Sequence, residues 1–109
     1  MNELVTINEV RNDGKTIHLY FNGLVGLFTA YGYSAFLLNK ETKVNAAYSD
    51  SMQMPVVVIN AEHLKVVIEK LKVVCHKDGY YCLAVENAVI EDEYAEWTNS
   101  TKVGGGIKL

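Results

Sequence analysis

The residues that could carry chemistry in this chain are three histidines, two cysteines and a set of tyrosines. His18 falls on a predicted strand and alternates outward beside Tyr20, where it could contact a ligand or exchange a proton. A catalytic base needs a placed partner, and no partner can be assigned from the residues around it. His63 sits in a first helical turn, and His76 sits at a predicted helix C-terminus, where the dipole favours a cation. Cys75, His76, Asp78 and Cys82 form a small group of ligating types. Their Cys-x6-Cys spacing does not match the structural zinc pattern, which pairs cysteines two to four residues apart. Cys75 also falls on an apolar helical stripe, so the expectation is a reduced core thiol and no metal. Glu91, Asp92, Glu93 and Glu96 lack the calcium-loop spacing and its central glycine, and read as a solvated acidic face. Gly104-Gly105-Gly106 has no strand before it, no helix after it and no Lys-Ser/Thr ending, so it is not a phosphate loop. Gly23-x-x-Gly26 is too short for one. No catalytic residue, cofactor or metal is expected, and the reading is not that of an enzyme.

Tyr20, Tyr31, Tyr33, Tyr80 and Tyr81 all lie on or near predicted strands. Tyrosine is large, stiff and amphipathic, and suits ligand pockets and interfaces as well as ordinary strand packing. The candidate ligand or partner contacts are therefore His18, Tyr20, Tyr31 and Tyr33. Lys65 and Lys72 join them as cations of a nucleic-acid reading, and Ile107 and Leu109 as apolar anchors in the tail.

These residues need elements to position them. Residues 4–22 read as a β-hairpin turning at Asn12-Asp13-Gly14, with Gly14 in the left-handed position. That register sets Glu9 opposite Ile17, Ile7 opposite Leu19 and Val5 opposite Phe21. Residues 24–32 read as a strand, for their Phe, Thr and Tyr content, and 33–42 as a short helix capped by Ser34. A polar loop follows over 43–53. Pro55 opens a strand, and Val56–Ile59 is a continuous apolar run, as in a strand covered on both faces. Asn60 caps a helix whose stripe is Leu64, Val67, Ile68, Leu71, Val74 and Cys75. Asp78-Gly79 ends that helix, and Tyr80–Val85 is the next strand. Ile90, Tyr94 and Trp97 share one helical face.

A chain of 109 residues makes one domain. Half of its residues are hydrophobic, a globular composition and not a disordered one. The net charge of −3 gives no general attraction to a phosphate backbone. Two cysteines are too few for a disulfide framework, and no apolar run approaches the length of a membrane span. With no basic and apolar leader at Met1-Asn2-Glu3, the expected location is cytoplasmic, with no membrane partner. The Asn99-Ser100-Thr101 sequon is then a chance match.

From Tyr20 to Val85 the order of elements resembles the N-terminal mismatch-recognition domain of DNA mismatch-repair proteins. The matching pieces are Leu27-Phe28-Thr29-Ala30-Tyr31-Gly32-Tyr33-Ser34-Ala35, then Met54-Pro55, then His63-Leu64 with Leu71, then Tyr81–Val85. The family's Phe-x-Glu, which wedges into the duplex and contacts the mispaired base, falls on Leu27-Phe28-Thr29. The wedge Phe is Leu and the Glu is Thr. What the resemblance implies is a shared arrangement of elements without the mismatch-reading chemistry.

The sequence therefore predicts an α+β fold: a two-layer single domain over residues 1–97, with a mixed sheet, an N-terminal hairpin and two main helices, then a tail over 98–109. The expected function is a non-enzymatic binding or interaction module that self-associates through the hairpin's outer face or the tail. Three glycines make the tail costly to order, so Ile107 and Leu109 would anchor it by strand addition to a sheet edge. The alternatives are a nucleic-acid-binding accessory, using Lys65, Lys70, Lys72, Lys77 and the aromatic strand Leu27–Tyr33, or a small-molecule, nucleotide-like binder with a tyrosine-lined pocket.

Overall fold

A computed structural model describes residues 2–12, 14–77, 79–85 and 91–103. Ten elements follow one another: α1 (Asn2–Val10), β1 (Thr16–Asn22), β2 (Leu27–Tyr31), α2 (Gly32–Thr42), β3 (Ala47–Ser49), β4 (Met54–Ile59), α3 (Ala61–Lys70), β5 (Lys72–Lys77), β6 (Tyr80–Ala84) and α4 (Glu91–Val103). The strands form one six-stranded sheet in the order β3-β4-β2-β1-β6-β5. Every neighbouring pair is antiparallel. The fold is α+β in one domain, with a radius of gyration of 12.7 Å, close to the roughly 13 Å of a compact chain this long.

The sheet is antiparallel and not mixed, because it is assembled from three hairpins. β1 and β2 are joined by residues 23–26, with Gly26 at φ 68° and its N–H bonded to the Asn22 carbonyl at 2.9 Å. β3 and β4 are joined by residues 50–53, and β5 and β6 by residues 78–79, with Gly79 at φ 74°. The hairpins then dock with β4 beside β2 and β6 beside β1.

The expected N-terminal hairpin does not form. β1 is a central strand whose two edges are taken by β2 and β6, so no edge is left for residues 4–10. They coil instead into α1, which buries Val5 and Glu9, one turn apart, and exposes Thr6, Ile7 and Val10. The turn after it keeps its expected chemistry. The Asn12 side chain accepts the Gly14 N–H at 2.9 Å, and Gly14 takes φ 81°.

The second correction concerns α3. Its N-terminus is as expected, with the Asn60 side chain accepting the His63 N–H at 2.8 Å. The helix stops at Lys70, however, and Leu71 is extended at φ −114°, ψ 154°. Val74 and Cys75 therefore belong to β5 and not to a helical stripe. The run Lys72–Lys77 satisfies both periods, and an Asp-Gly pair behind a strand is as good a hairpin signal in sequence as it is a helix stop. The described residues thus form four helices where two main ones were expected. α4 also runs through residue 98, the expected start of the tail, as far as Val103. Ser100 and Thr101 return their hydroxyls to the Trp97 and Thr98 carbonyls at 2.7 Å. Residues 104–109, with Ile107 and Leu109, lie outside the described residues.

The core occupies one face of the sheet. Ile17, Leu19, Ala30, Val57, Ile59 and Leu83 point to that face and meet Ala35 and Leu38 of α2 and Leu64 and Val67 of α3, with Trp97 of α4 packed against them. The opposite face carries His18, Tyr20 and Asn22 of β1, Leu27, Thr29 and Tyr31 of β2, Val56 and Val58 of β4, and Tyr80 and Cys82 of β6. No helix among the described residues is long and apolar enough to cross a membrane.

Candidate functional site

The face of the sheet away from the core is where chemistry-bearing residues collect. Cross-strand pairing sets His18 against Cys82 and Tyr20 against both Tyr80 and Thr29. His18 Nδ1 and the Tyr80 hydroxyl lie 2.5 Å apart in a hydrogen bond, with their rings stacked. Tyr20 packs between Tyr80 and Tyr31, at ring-centroid distances of 5.5 and 6.2 Å. Burial lowers the pKa of His18, which favours its neutral form. Burial pushes the Tyr20 phenol up to about 12, against the Asn8 amide that donates to it at 2.8 Å. It raises Tyr31 and Tyr80 as well. These phenols therefore stay neutral and act as apolar walls with a hydroxyl tip.

Asn8 belongs to α1, which reaches one end of this face, and a buried polar latch holds it there. Glu9 Oε1 accepts the Ser34 N–H at 3.1 Å, and Glu9 Oε2 accepts the Ser34 hydroxyl at 2.6 Å. Ser34 Oγ in turn accepts the His18 N–H at 2.9 Å, and the Asn12 amide donates to the Thr16 carbonyl at 2.9 Å. Ser34 is thus a tie between α2, α1 and β1. Ser34 is not the expected helix cap: the N-cap position is Tyr31, whose side chain makes no capping bond, and Glu9 from α1 accepts the first-turn Ser34 N–H instead.

Two hollows open beside the latched end. One, of about 310 Å³, is lined by Asn22, Leu27, Thr29, Tyr31, Val56 and Val58, with Val25, Ser49, Ser51 and Met52 at its margins. The other, of about 260 Å³, is lined by Tyr20, Phe21, Asn22, Thr29 and Tyr31. They share Asn22, Thr29 and Tyr31, so they adjoin. Their walls hold hydroxyls, an amide and apolar side chains, and among the described residues none that lines them is charged. Among the described residues no hydrogen bond engages the Thr29 or Tyr31 hydroxyl. Each hollow is near the roughly 300 Å³ at which small-ligand pockets begin.

Of the residues singled out from the sequence, His18, Tyr20 and Tyr31 meet on this face. Tyr33 does not. It sits in α2 and stacks on Tyr94 of α4 at 4.1 Å. Lys65 is exposed on α3, which packs on the covered face, and Lys72 is exposed on the edge strand β5, three strands from β2. The cations and the hollows are therefore separate features. Sequence reasoning passed over Asn22, Thr29, Val56 and Val58. Alternation along β1 placed Asn22 on the outer face beside Tyr20, which was a usable signal. Val56–Ile59 reads as buried on both sides, and only the open face shows that Val58 is half-exposed. No group of three or more His, Cys, Asp or Glu among the described residues could hold a metal ion. Comparison with protein-family models, with curated proteins and with solved structures finds no match to this chain.

Proposed function

We propose that the protein is a non-enzymatic binding module that holds a small, uncharged, flat ligand of nucleoside size on the open face of its sheet. The observation that carries this reading is the pair of adjoining hollows walled by Tyr20, Tyr31, Leu27 and Val58 and sharing Asn22 and Thr29. Aromatic and aliphatic walls favour a ring inserted against them. The Asn22, Thr29 and Tyr31 polar groups can orient it by hydrogen bonds. A phosphorylated ligand or a nucleic-acid strand is less suited, because among the described residues the lining carries no Lys or Arg to meet a phosphate. The mismatch-domain resemblance points the same way, since Leu27 and Thr29 stand where its wedge and acid would be.

A thermal-shift screen of the full chain against nucleosides and neutral aromatic heterocycles tests the reading. A ligand at about one hundred times its Kd stabilises by about 2.7 kcal/mol. Thr29→Arg, which fills the region common to both hollows, should abolish that shift while leaving the circular dichroism unchanged. A shift that survives Thr29→Arg would place the ligand elsewhere, and a response only to phosphorylated compounds or DNA would favour the nucleic-acid reading.

Self-association is a second reading, supported by the β5 edge. β5 has one neighbour, and Val73 and Val74 are 39% and 54% exposed along it. Sedimentation across a concentration series tests it, with Val74→Lys expected to leave only monomer.

A further inference from the structure

Cys75 and Cys82 are assigned to no role by the site above. Six residues separate them in the sequence, but the β5–β6 hairpin makes them direct cross-strand partners. Side chains paired across an antiparallel ladder share a face. Their Cα atoms stand about 4.5–5.5 Å apart in such a ladder, inside the range of about 4.4–6.8 Å that a disulfide spans. Both thiols are free and partly exposed. The pairing register shifts between Val73 and Cys75, an irregularity that loosens the edge strand next to Cys75. β5 is also the outermost strand of the sheet, so a reagent meets Cys75 before Cys82.

We infer that Cys75 and Cys82 are a site of thiol–disulfide exchange, a cross-strand dithiol that closes into a disulfide on reaction with a low-molecular-weight disulfide. The Cys75 thiolate attacks one sulfur of the small disulfide and releases one small thiol, leaving a mixed disulfide. The Cys82 thiol then loses its proton and displaces the second small thiol, forming the Cys75–Cys82 bond. Two protein thiols are oxidised, one external disulfide is reduced, and two small thiols leave. The cluster favours this order. Burial and the neighbouring Cys75 raise the Cys82 thiol, while Tyr80 hydrogen-bonds to it, so Cys82 is the resolving and not the initiating group. The bond would staple the exposed β5 edge to β6, beside His18 and Tyr80.

The test uses the full chain in glutathione redox buffers of graded ratio, in native buffer and in urea, with acid quenching and intact mass. The expected species is a monomer lighter by two hydrogens, with one peptide joining Cys75 to Cys82. Its exchange constant should be about tenfold larger in native buffer than in urea, because the ladder holds the two thiols together. Cys82→Ser should stop at the mixed disulfide on Cys75. A native constant equal to or below that in urea, a disulfide joining two chains, or thiols that stay free in fully oxidised buffer would overturn the inference.

Discussion

Glu9 should make the fold less stable as the pH rises, the reverse of the usual behaviour of a hydrogen-bonded carboxylate. It is only 6% exposed, and burial drives its pKa from the ordinary 4.5 up to about 7. The donors that oppose that rise include the Ser34 N–H, the Ser34 hydroxyl and the Asn12 amide. Desolvation outweighs them. Below pH 4.5 the carboxyl is protonated in both the folded and the unfolded chain, and nothing is lost. Between 4.5 and 7 the unfolded chain ionises while the fold keeps its proton, so stability falls. At about 1.4 kcal/mol for each pH unit of that window, the loss reaches about 3 kcal/mol by pH 8. Glu9→Gln keeps the shape and, like the protonated acid, presents a donor toward Ser34 Oγ. Urea denaturation of both proteins from pH 4 to pH 8 isolates the effect, since every other titrating group cancels. The two should agree near pH 4, and the Gln variant should be more stable by about 3 kcal/mol at pH 8. Parallel profiles would refute the argument. A Gln variant weaker at pH 8 would mean that these donors, aided by the N-terminus of α2, stabilise the ionised form.

Leu64→Ala on the buried side of α3 should cost about 2–5 kcal/mol in chemical denaturation, whereas Val66→Ala, at 51% exposure, should cost less than about 0.5 kcal/mol. Asn60→Ala removes the side chain that accepts the His63 N–H and should cost about 1 kcal/mol by the same assay, with Asn60→Gly nearer neutral. Gly32→Ala should destabilise by more than about 1 kcal/mol in thermal unfolding. Gly32 holds φ 58°, and a Cβ there would stand 3.2 Å from Glu9 Oε1 and 3.4 Å from the Met54 sulfur.

The parts of the fold legible in the sequence are those where local chemistry and packing agree. Met54–Ile59 and the Asn60 cap combine an apolar run with a boundary residue, while the strand at Leu27–Tyr31 was legible from its Phe, Thr and Tyr content. The failures lie where a local pattern fits two structures. Asn12-Asp13-Gly14 is as good a hairpin turn as it is a helix exit, and only the neighbours of β1 decide between them. Leu71, Val74 and Cys75 continue a helical stripe on paper, yet Asp78-Gly79 demands strands on either side. That misreading hid the cross-strand cysteine pair, because a thiol on a helical stripe has no partner on β6. Half of the site was visible for the same reason. Alternation along Thr16–Asn22 places His18, Tyr20 and Asn22 together, while Val56 and Val58 join them only through the β2–β4 pairing, which is non-local.

The central claim is that the open sheet face, between β1, β2 and β4, is where this protein binds its ligand. Amide and methyl chemical-shift mapping of the full chain, titrated with the strongest uncharged heterocycle from the screen, tests it most directly. Saturable shifts should centre on Asn22, Leu27, Thr29, Tyr31, Val56 and Val58 and be lost in Thr29→Arg. Saturable shifts centred instead on α3 around Lys65, or on the β5 edge around Lys72 and Val74, would contradict the account, as would a screen in which no neutral heterocycle saturates.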